Sequence, residues 1–391
     1  MKILYLSSVT SDKLFSDLFN KGLTIGYVGQ KYHGMFVKGL ECHLEDGDLT
    51  VLSQPPTASR STIFTEKQNK ISFIYVPIIP VLAIKQFIAI CFSFIYAFGW
   101  CLKNVGQKKI VVCSIMRIYQ FVPILLVAYL FRCRKVTIAC DVPWITMTQI
   151  KLAKPSRKQR FVISISKKLC SIFDAYVFLT ESMNELLNPK GKSYIVVEGF
   201  CDINMANRPN RQEDKYDRDV ILYAGGLNVK YGIGTLVEAA KRMKDQGVEL
   251  WLYGLGDLAK TLDTDGNIKY FGPRSNDEVV AAEMKATLLV NPRPTEGEYT
   301  RYSFPSKTLE YMASGTYMLT TRLAGIPDEY FGYCGVIDNE TPEGIEKAIT
   351  DAFSLGREEL HRRGLAAKDF VLNNKNNMIQ TKRVFDLFQS L

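Results

Sequence analysis

The residues best suited to chemistry lie in two stretches of the second half of the chain. In the first, Tyr223-Ala224-Gly225-Gly226-Leu227-Asn228-Val229-Lys230-Tyr231-Gly232, a strand runs into paired glycines, then a lysine, then a helix. Glycine lets backbone approach a ligand closely, and a helix N-terminus offers unpaired N–H groups to an anion. Lys230 adds a full positive charge where a diphosphate would sit. A plain tight turn has the same pattern, and both readings stand on spacing alone. The second stretch is Asn291-Pro292-Arg293 followed by the run from Tyr302 through Ser303-Phe304-Pro305-Ser306-Lys307 to Glu310 and Gly315. Proline suits a first helical turn and serine caps one, so Ser303 or Pro305-Ser306 starts a helix. Glu310 falls one turn beyond Ser306 on the same face. That spacing offers backbone N–H groups to phosphate and, one turn deeper, a carboxylate able to accept both hydrogen bonds of a ribose diol. Glu310 could instead be an exposed helical carboxylate. Against this, Leu309, Tyr311 and Met312 predict a largely buried helix, where a carboxylate needs partners.

Short β-branched runs alternate with amphipathic stretches along the whole chain, which predicts parallel sheets with helices on both faces. The first half reads as strands at Lys2–Leu6, Leu49–Leu52, Ile71–Val76, Ile110–Ser114, Val136–Ala139, Ala175–Leu179 and Tyr194–Val197, with helices near 30–44, 83–104, 119–132, 156–172 and 181–188. Arg208 to Arg218 (RPNRQEDKYDR) has no apolar periodicity and marks the domain boundary. Strands at Val220–Ala224, Glu249–Tyr253, Ile268–Phe271, Thr287–Asn291 and Tyr317–Thr321 follow, with helices at Gly232–Gln246, Asp277–Lys285 and Ser306–Ala313, and near 342–354, 357–371 and 377–390. Two Rossmann-like domains in tandem place ligands beyond the carboxyl ends of the strands.

The Gly-Gly-Leu…Lys-Tyr-Gly element, Tyr253-Gly254-Leu255-Gly256-Asp257, and Phe304-Pro305-Ser306-Lys307…Glu310-Tyr311-Met312-Ala313-Ser314-Gly315 occur in that order. Together they resemble family 4 of the GT-B glycosyltransferases, retaining enzymes that use nucleotide sugars. The likeness is specific over about residues 219–335 and loose before them. It implies an α/β chain of two Rossmann-like domains facing across a cleft: an acceptor domain at 1–205, a nucleotide-sugar domain at 206–371, and a helix at 372–391 returning to the first domain.

The resemblance also assigns roles. Glu310 matches the ribose-binding second glutamate of a Glu-x7-Glu motif. Ser306 and Lys307 start the helix whose backbone meets the diphosphate, and Ser303 with the Phe304-Pro305 turn lies beside the donor sugar. Lys230 matches the lysine that neutralises the leaving diphosphate. Gly225 and Gly226 form the glycine loop, and Gly272-Pro273 read the base. The acceptor loop falls in Gly26 to Gly34, with Gly29, Gln30, Lys31 and Tyr32 as its contacts; His33 is equally an exposed helical residue. Three departures stand out. Tyr302 occupies the first glutamate's position, leaving Glu296 or Glu298 to meet the sugar. Gly226 replaces an arginine, whose charge Arg293 would supply. Cys140 takes the place of a histidine, while Asp141 remains to bind sugar or assist the acceptor hydroxyl, or to serve only as a loop cap.

Composition agrees with an intracellular globular chain: 391 residues, 47% apolar and 23% charged. Nine scattered cysteines without a CxxC pair, and only three histidines, indicate free thiols in a reducing cytosol and no zinc site. The net charge of +9 is uneven: residues 1–200 hold 25 Lys and Arg against 12 Asp and Glu, the remainder 24 against 28. No stripe of basic residues with interleaved aromatics appears, so nucleic acid is not the expected partner. Phe87 to Leu102 is 16 residues without a formal charge. It is short for a span and reads as a buried helix or, with Lys85 and Lys103 flanking its aromatics, as an interfacial one.

The expectation is therefore a retaining hexosyltransferase, cytoplasmic and peripheral on the inner face of the cell membrane. It would move a sugar from a UDP- or GDP-sugar to a polyprenyl-diphosphate-linked or saccharide acceptor in capsule or exopolysaccharide assembly, with no metal or other cofactor. The rival readings are a nucleotide-sugar 2-epimerase and a non-catalytic nucleotide-sugar-binding scaffold.

Overall fold

The structure, a computed structural model, describes residues 1–23, 27–55, 57, 61, 63–115, 117–145, 156–262, 264 and 266–391, apart from the side chains of Tyr27, Val28, Lys158 and Val162. It divides into two compact units, Met1–Phe200 with Asn377–Leu391, and Cys201–Asn376.

In the first unit β1 (Lys2–Ser7) leads through α1 (Asp12–Asn20) and α2 (Tyr27–Glu41) to β2 (Leu49–Ser53), β3 (Phe64–Gln68) and β4 (Ile71–Tyr75). Then come α3 (Leu82–Lys103), β5 (Lys109–Ser114), α4 (Ile118–Leu130), β6 (Arg134–Ala139), α5 (Arg157–Cys170), β7 (Ala175–Phe178), α6 (Ser182–Leu187) and β8 (Tyr194–Val196). The sheet order is β3-β4-β2-β1-β5-β6-β7-β8. Every pairing is parallel except β3 on β4. Inner strands such as β2 and β7 are buried at every position, which is why they read as continuous apolar runs.

Two elements, α1 and β3, are absent from those expected from the sequence. Helix α1 has an apolar stripe, Leu14, Phe15 and Leu18, but it spans only nine residues and buries none of them fully; Ser11 caps it, its hydroxyl accepting from Leu14 N at 3.1 Å. Strand β3 (Phe-Thr-Glu-Lys-Gln) is a polar edge strand, a form that discourages further pairing.

The terminal helix Asn377–Ser390 belongs to this unit. Val384, Leu387 and Phe388 join the core of Ile3, Tyr5, Phe36 and Leu40. At Gly39 a Cβ would stand 2.3 Å from Asn377 O, so α2 and the terminal helix touch backbone to backbone.

The second unit runs β9 (Val220–Ala224), α7 (Ile233–Arg242), β10 (Glu249–Tyr253), β11 (Ile268–Gly272), α8 (Asn276–Lys285), β12 (Leu288–Asn291), α9 (Ser306–Ser314), β13 (Met318–Thr321), β14 (Gly335–Ile337), α10 (Pro342–Phe353) and α11 (Arg357–Asn374). Its six strands are parallel in the order β11-β10-β9-β12-β13-β14. Strand β14, Gly335–Ile337, is absent from the strands expected from the sequence.

The units divide after Phe200 and after Asn376, where the sequence put the divisions at 205/206 and 371/372. The charged stretch 208–218 is not a linker: its polar groups are bound into the second unit. Asn210 Nδ2 donates to Ser314 O at 2.8 Å, Lys215 Nζ to Thr316 Oγ1 at 2.7 Å, and Tyr216 N to Lys285 O at 3.0 Å. High polarity alone does not distinguish a linker from a strap fastened through several of its polar groups.

Candidate functional site

In the second unit β9 has β10 and β11 on one side and β12 on the other, so the direction of winding reverses between β9 and β12. Open α/β sheets bind ligands at the carboxyl side of such a reversal. Four of the expected donor elements lie there, after β9, β10, β11 and β12.

Gly225 leaves β9 with φ 153, and its N–H donates to Tyr253 O at 2.8 Å. A Cβ on it would meet Lys307 Nζ at 2.0 Å, and one on Gly254 (φ 124) would meet Gly225 O at 1.9 Å. The two loops therefore lie backbone on backbone, with the Lys307 side chain across the outside of Gly225. Only glycine fits either position. The Lys307 ammonium stands 5.1 Å from the Tyr223 ring centroid and 5.8 Å from that of Tyr311, a cation held by two ring faces. Tyr223 in turn donates to Gly226 O at 3.1 Å, and Tyr311 Oη accepts from Ala224 N at 2.9 Å. The sequence offered only the backbone of Lys307 as functional; the structure brings its side chain to the glycine loop. Its neighbour Gly272 ends β11 and accepts from Gly254 N at 3.0 Å, with Pro273 exposed beyond it.

Lys230 and Arg293 meet at Tyr231. The exposed Lys230 Nζ is 5.1 Å from that ring and Arg293 Cζ 5.8 Å, with the Tyr299 ring 5.0 Å from Arg293 on its own loop. Arg293 Nε is buried and has no hydrogen-bond partner. Two cations from different loops on one aromatic ring make a local field suited to a diphosphate.

Helix α9 starts after Pro305 (φ −74, ψ 106), and no side chain caps it. Ser306 is its first residue, exposed and not a cap as the sequence suggested; Ser303 is extended and half-buried before it. An uncapped first turn keeps the positive end of the helix dipole available. Glu310 is half-buried on the second turn, among buried Leu309, Tyr311 and Met312. Phe304 and Tyr302 are each 6% exposed, Phe304 packing on the Tyr330 ring at 5.4 Å, so the Phe304-Pro305 turn can present only backbone. Glu296 and Glu298 are both exposed on the loop before α9.

In the first unit Gly29, Gln30, Lys31 and Tyr32 lie on α2 rather than on a loop; Gly26 lies outside the described residues. Gln30 is committed inward: its Oε1 accepts from Thr10 N at 2.9 Å and its Nε2 donates to Thr10 O at 2.9 Å. Tyr32 packs against Phe200 with tilted rings 4.9 Å apart, and burial raises its pKa well above the ordinary tyrosine value. Gly29 faces Ser8 Oγ at ordinary contact distance, and Lys31 is half-buried. His33 is a correction: it is 7% exposed and hydrogen-bonds Tyr5 Oη through Nδ1. Burial first, then Arg117, lower its pKa to about 3, which keeps the imidazole neutral. At the end of β6, Asp141 is exposed, while burial and the Asp141 charge raise the pKa of the half-buried Cys140 thiol.

All nine cysteines are free, and among the described residues no group of three or more His, Cys, Asp or Glu could hold a metal ion. Arg117, at the start of α4 and absent from the sequence reading, lies at the carboxyl side of this sheet. Its only sequence signal was a basic residue closely following a strand.

Residues 218–354 match the family described as Glycosyl transferases group 1. No curated protein matches the sequence. Among solved structures the chain is similar to sucrose-phosphate synthase from Thermosynechococcus elongatus, at 14% identity and TM-score 0.68 over 100% of this chain and 99% of that one. Trehalose-6-phosphate synthase from E. coli bound with UDP-2-fluoro glucose gives 10% identity and TM-score 0.69, over 100% and 99%. A glycosyltransferase from Rickettsia africae ESF-5 gives 14% and 0.64, over 100% and 98%.

Proposed function

We infer that this chain, a glycosyltransferase with the GT-B fold and a group 1 domain in its second unit, moves a sugar from a UDP- or GDP-sugar to a lipid-linked hydroxyl acceptor with retention at the anomeric carbon. The observation that carries the donor half is the convergence of Lys230, Arg293 and Lys307 with an uncapped helix on one glycine loop. As the bond from the anomeric carbon to the diphosphate breaks, charge grows on the departing oxygen. Fixed cations and the α9 dipole stabilise that charge without reorganising. The acceptor oxygen forms the new bond to the anomeric carbon, and its proton passes to the departing diphosphate oxygen. Glu310 accepts from the ribose diol, and Gly272-Pro273 meets the base. Asp141 binds the sugar or orients the acceptor hydroxyl. Metal is not required in this reading, because these groups carry the charge a cation would otherwise offset.

What supports a lipid-linked acceptor is the surface of α3. Along most of its length its buried face is small, Ala89, Ser93 and Ala97, with Trp100 and Cys101 buried at its end, while Phe87, Ile90, Phe94, Ile95 and Phe98 are exposed. Phe87 is 67% and Ile95 68% exposed, and on α4 Leu126 and Tyr129 are likewise exposed. It is also the one helix, among the described residues, long and apolar enough to cross a membrane. Such an inverted pattern is unfavourable in water and suits a helix lying in a headgroup boundary, with Lys85 and Lys103 at its ends. A role at the inner membrane face in surface polysaccharide assembly follows from this reading.

The test is incubation with UDP- and GDP-sugars, with and without polyprenyl-diphosphate-linked saccharide, followed by product analysis. Transfer to the lipid with retained configuration is expected. An epimerised nucleotide sugar formed without acceptor would establish the epimerase instead, and no turnover of any donor would favour a binding scaffold.

A further inference from the structure

The first unit reverses its winding between β1 and β5, the strand on the opposite side of β1 from β2. Beyond the carboxyl ends of these strands lies a cluster whose hydrogen-bonding capacity is one-sided. Arg117 Nη1 donates to Gln120 Oε1 at 3.0 Å and to Gln54 Oε1 at 3.4 Å. Both amide oxygens are thereby turned to the guanidinium, and both amide nitrogens, Gln54 Nε2 and Gln120 Nε2, are left buried without a partner. Ser53 Oγ beside Gln54 is buried and unpartnered as well. Gln54 is 2% and Gln120 0% exposed. Among the described residues no carboxylate pairs with Arg117, and burial lowers its pKa.

A half-buried guanidinium without a counter-charge is costly, and so is each buried unpaired donor. Here these costs occur together, at the position where open α/β sheets bind ligands. Arg117 is also the N-cap of α4, a 13-residue helix with no side-chain cap, so the dipole adds to the same field. Every group left over is a donor or a positive charge. Neutral Tyr5 and His33 flank the cluster and satisfy each other.

We propose that Arg117, Gln54, Gln120 and Ser53 form a phosphoryl-binding site in the first unit. A tetrahedral anion with several terminal oxygens uses a guanidinium, two amide N–H groups, a hydroxyl and a helix N-terminus together, which a hydroxyl-rich neutral sugar does not. The phosphoryl group is that of a free sugar phosphate or of a lipid-linked saccharide diphosphate. Only its identification with the acceptor rests on the transferase reading above; the site itself does not.

The experiment is a titration of the full chain with inorganic phosphate, followed by 31P line broadening and by Tm, in the absence and presence of saturating UDP. Phosphate binding that persists with UDP bound is expected. Arg117→Met should raise the phosphate Kd about 10- to 100-fold while the UDP-induced Tm shift is unchanged. Arg117→Lys, which keeps the charge but loses the fork, should fall between. If Arg117→Met does not fold, the wild-type 31P titration with UDP and the lysine variant still decide. Wild-type protein that binds UDP but no phosphate would overturn the proposal, as would an Arg117→Met variant that binds phosphate normally. Failure to bind UDP would count against the donor reading alone. A hexose 6-phosphate and a short-chain polyprenyl diphosphate in detergent separate the two sources, since the one that competes with inorganic phosphate in the wild type and not in Arg117→Met is the ligand.

Discussion

Lys307 illustrates how much one side chain's direction matters. Its ammonium lies between two tyrosine rings and against Gly225, so Lys307→Ala removes both a cation and the support of the glycine loop. We expect Lys307→Ala and Lys230→Ala each to lower kcat about 100- to 1000-fold, the range seen when one fixed charge-stabilising donor is lost. Glu310→Ala should mainly raise the Kd for the nucleotide, read by calorimetry with UDP and with uridine. Equal loss for a ribose-free diphosphate would contradict the ribose role. His33 gives a pH prediction. Its folded pKa, about 3, lies below the unfolded value of about 6.5, so the stability it contributes is present above pH 6.5 and is lost as pH falls toward 3. Unfolding free energy should drop by up to about 1.4 kcal/mol per pH unit in that window from this group, and His33→Gln should flatten the slope in urea titrations.

Among the elements, α3 has the most exposed apolar surface. Replacing Phe87 and Ile95 by serine removes large exposed groups without touching the buried face of Ala89, Ser93, Ala97, Trp100 and Cys101. The double variant should keep its Tm within a few degrees yet lose flotation with anionic vesicles. A wild-type chain that fails to float would remove the membrane contact from the reading. The sequence showed this helix and its flanking lysines but not which face was covered, because its large apolar residues run all around it. Packing against α4 decided that. Elements with an apolar period were legible, down to identical limits for β9 and β10. Strand β3 was not, because it is a polar edge strand; helix α1 was not either, although Leu14, Phe15 and Leu18 recur at helical spacing, because the stripe covers only two turns.

Taken as a whole molecule, the chain crosses from the first unit to the second and back, and this has a consequence for truncation. The core of the second unit is built from its own residues, so a 201–376 fragment should fold and bind UDP. A 1–200 fragment lacks Val384, Leu387 and Phe388; at about 1.5–3 kcal/mol per buried large side chain, it should lose most of its stability. Adding 377–391 as a peptide should restore protection in hydrogen exchange. The sequence by itself determined the α/β class, most strands of both sheets and the helix that carries Glu310, because these depend on local periodicity and short spacing. Only the tertiary structure decided that Lys307 reaches Gly225, that the charged stretch 208–218 is a bound strap, and that Arg117 meets Gln54 and Gln120 with no carboxylate paired to it among the described residues. Those outcomes depend on side-chain direction and on contacts between distant segments, which hydrophobic periodicity does not encode.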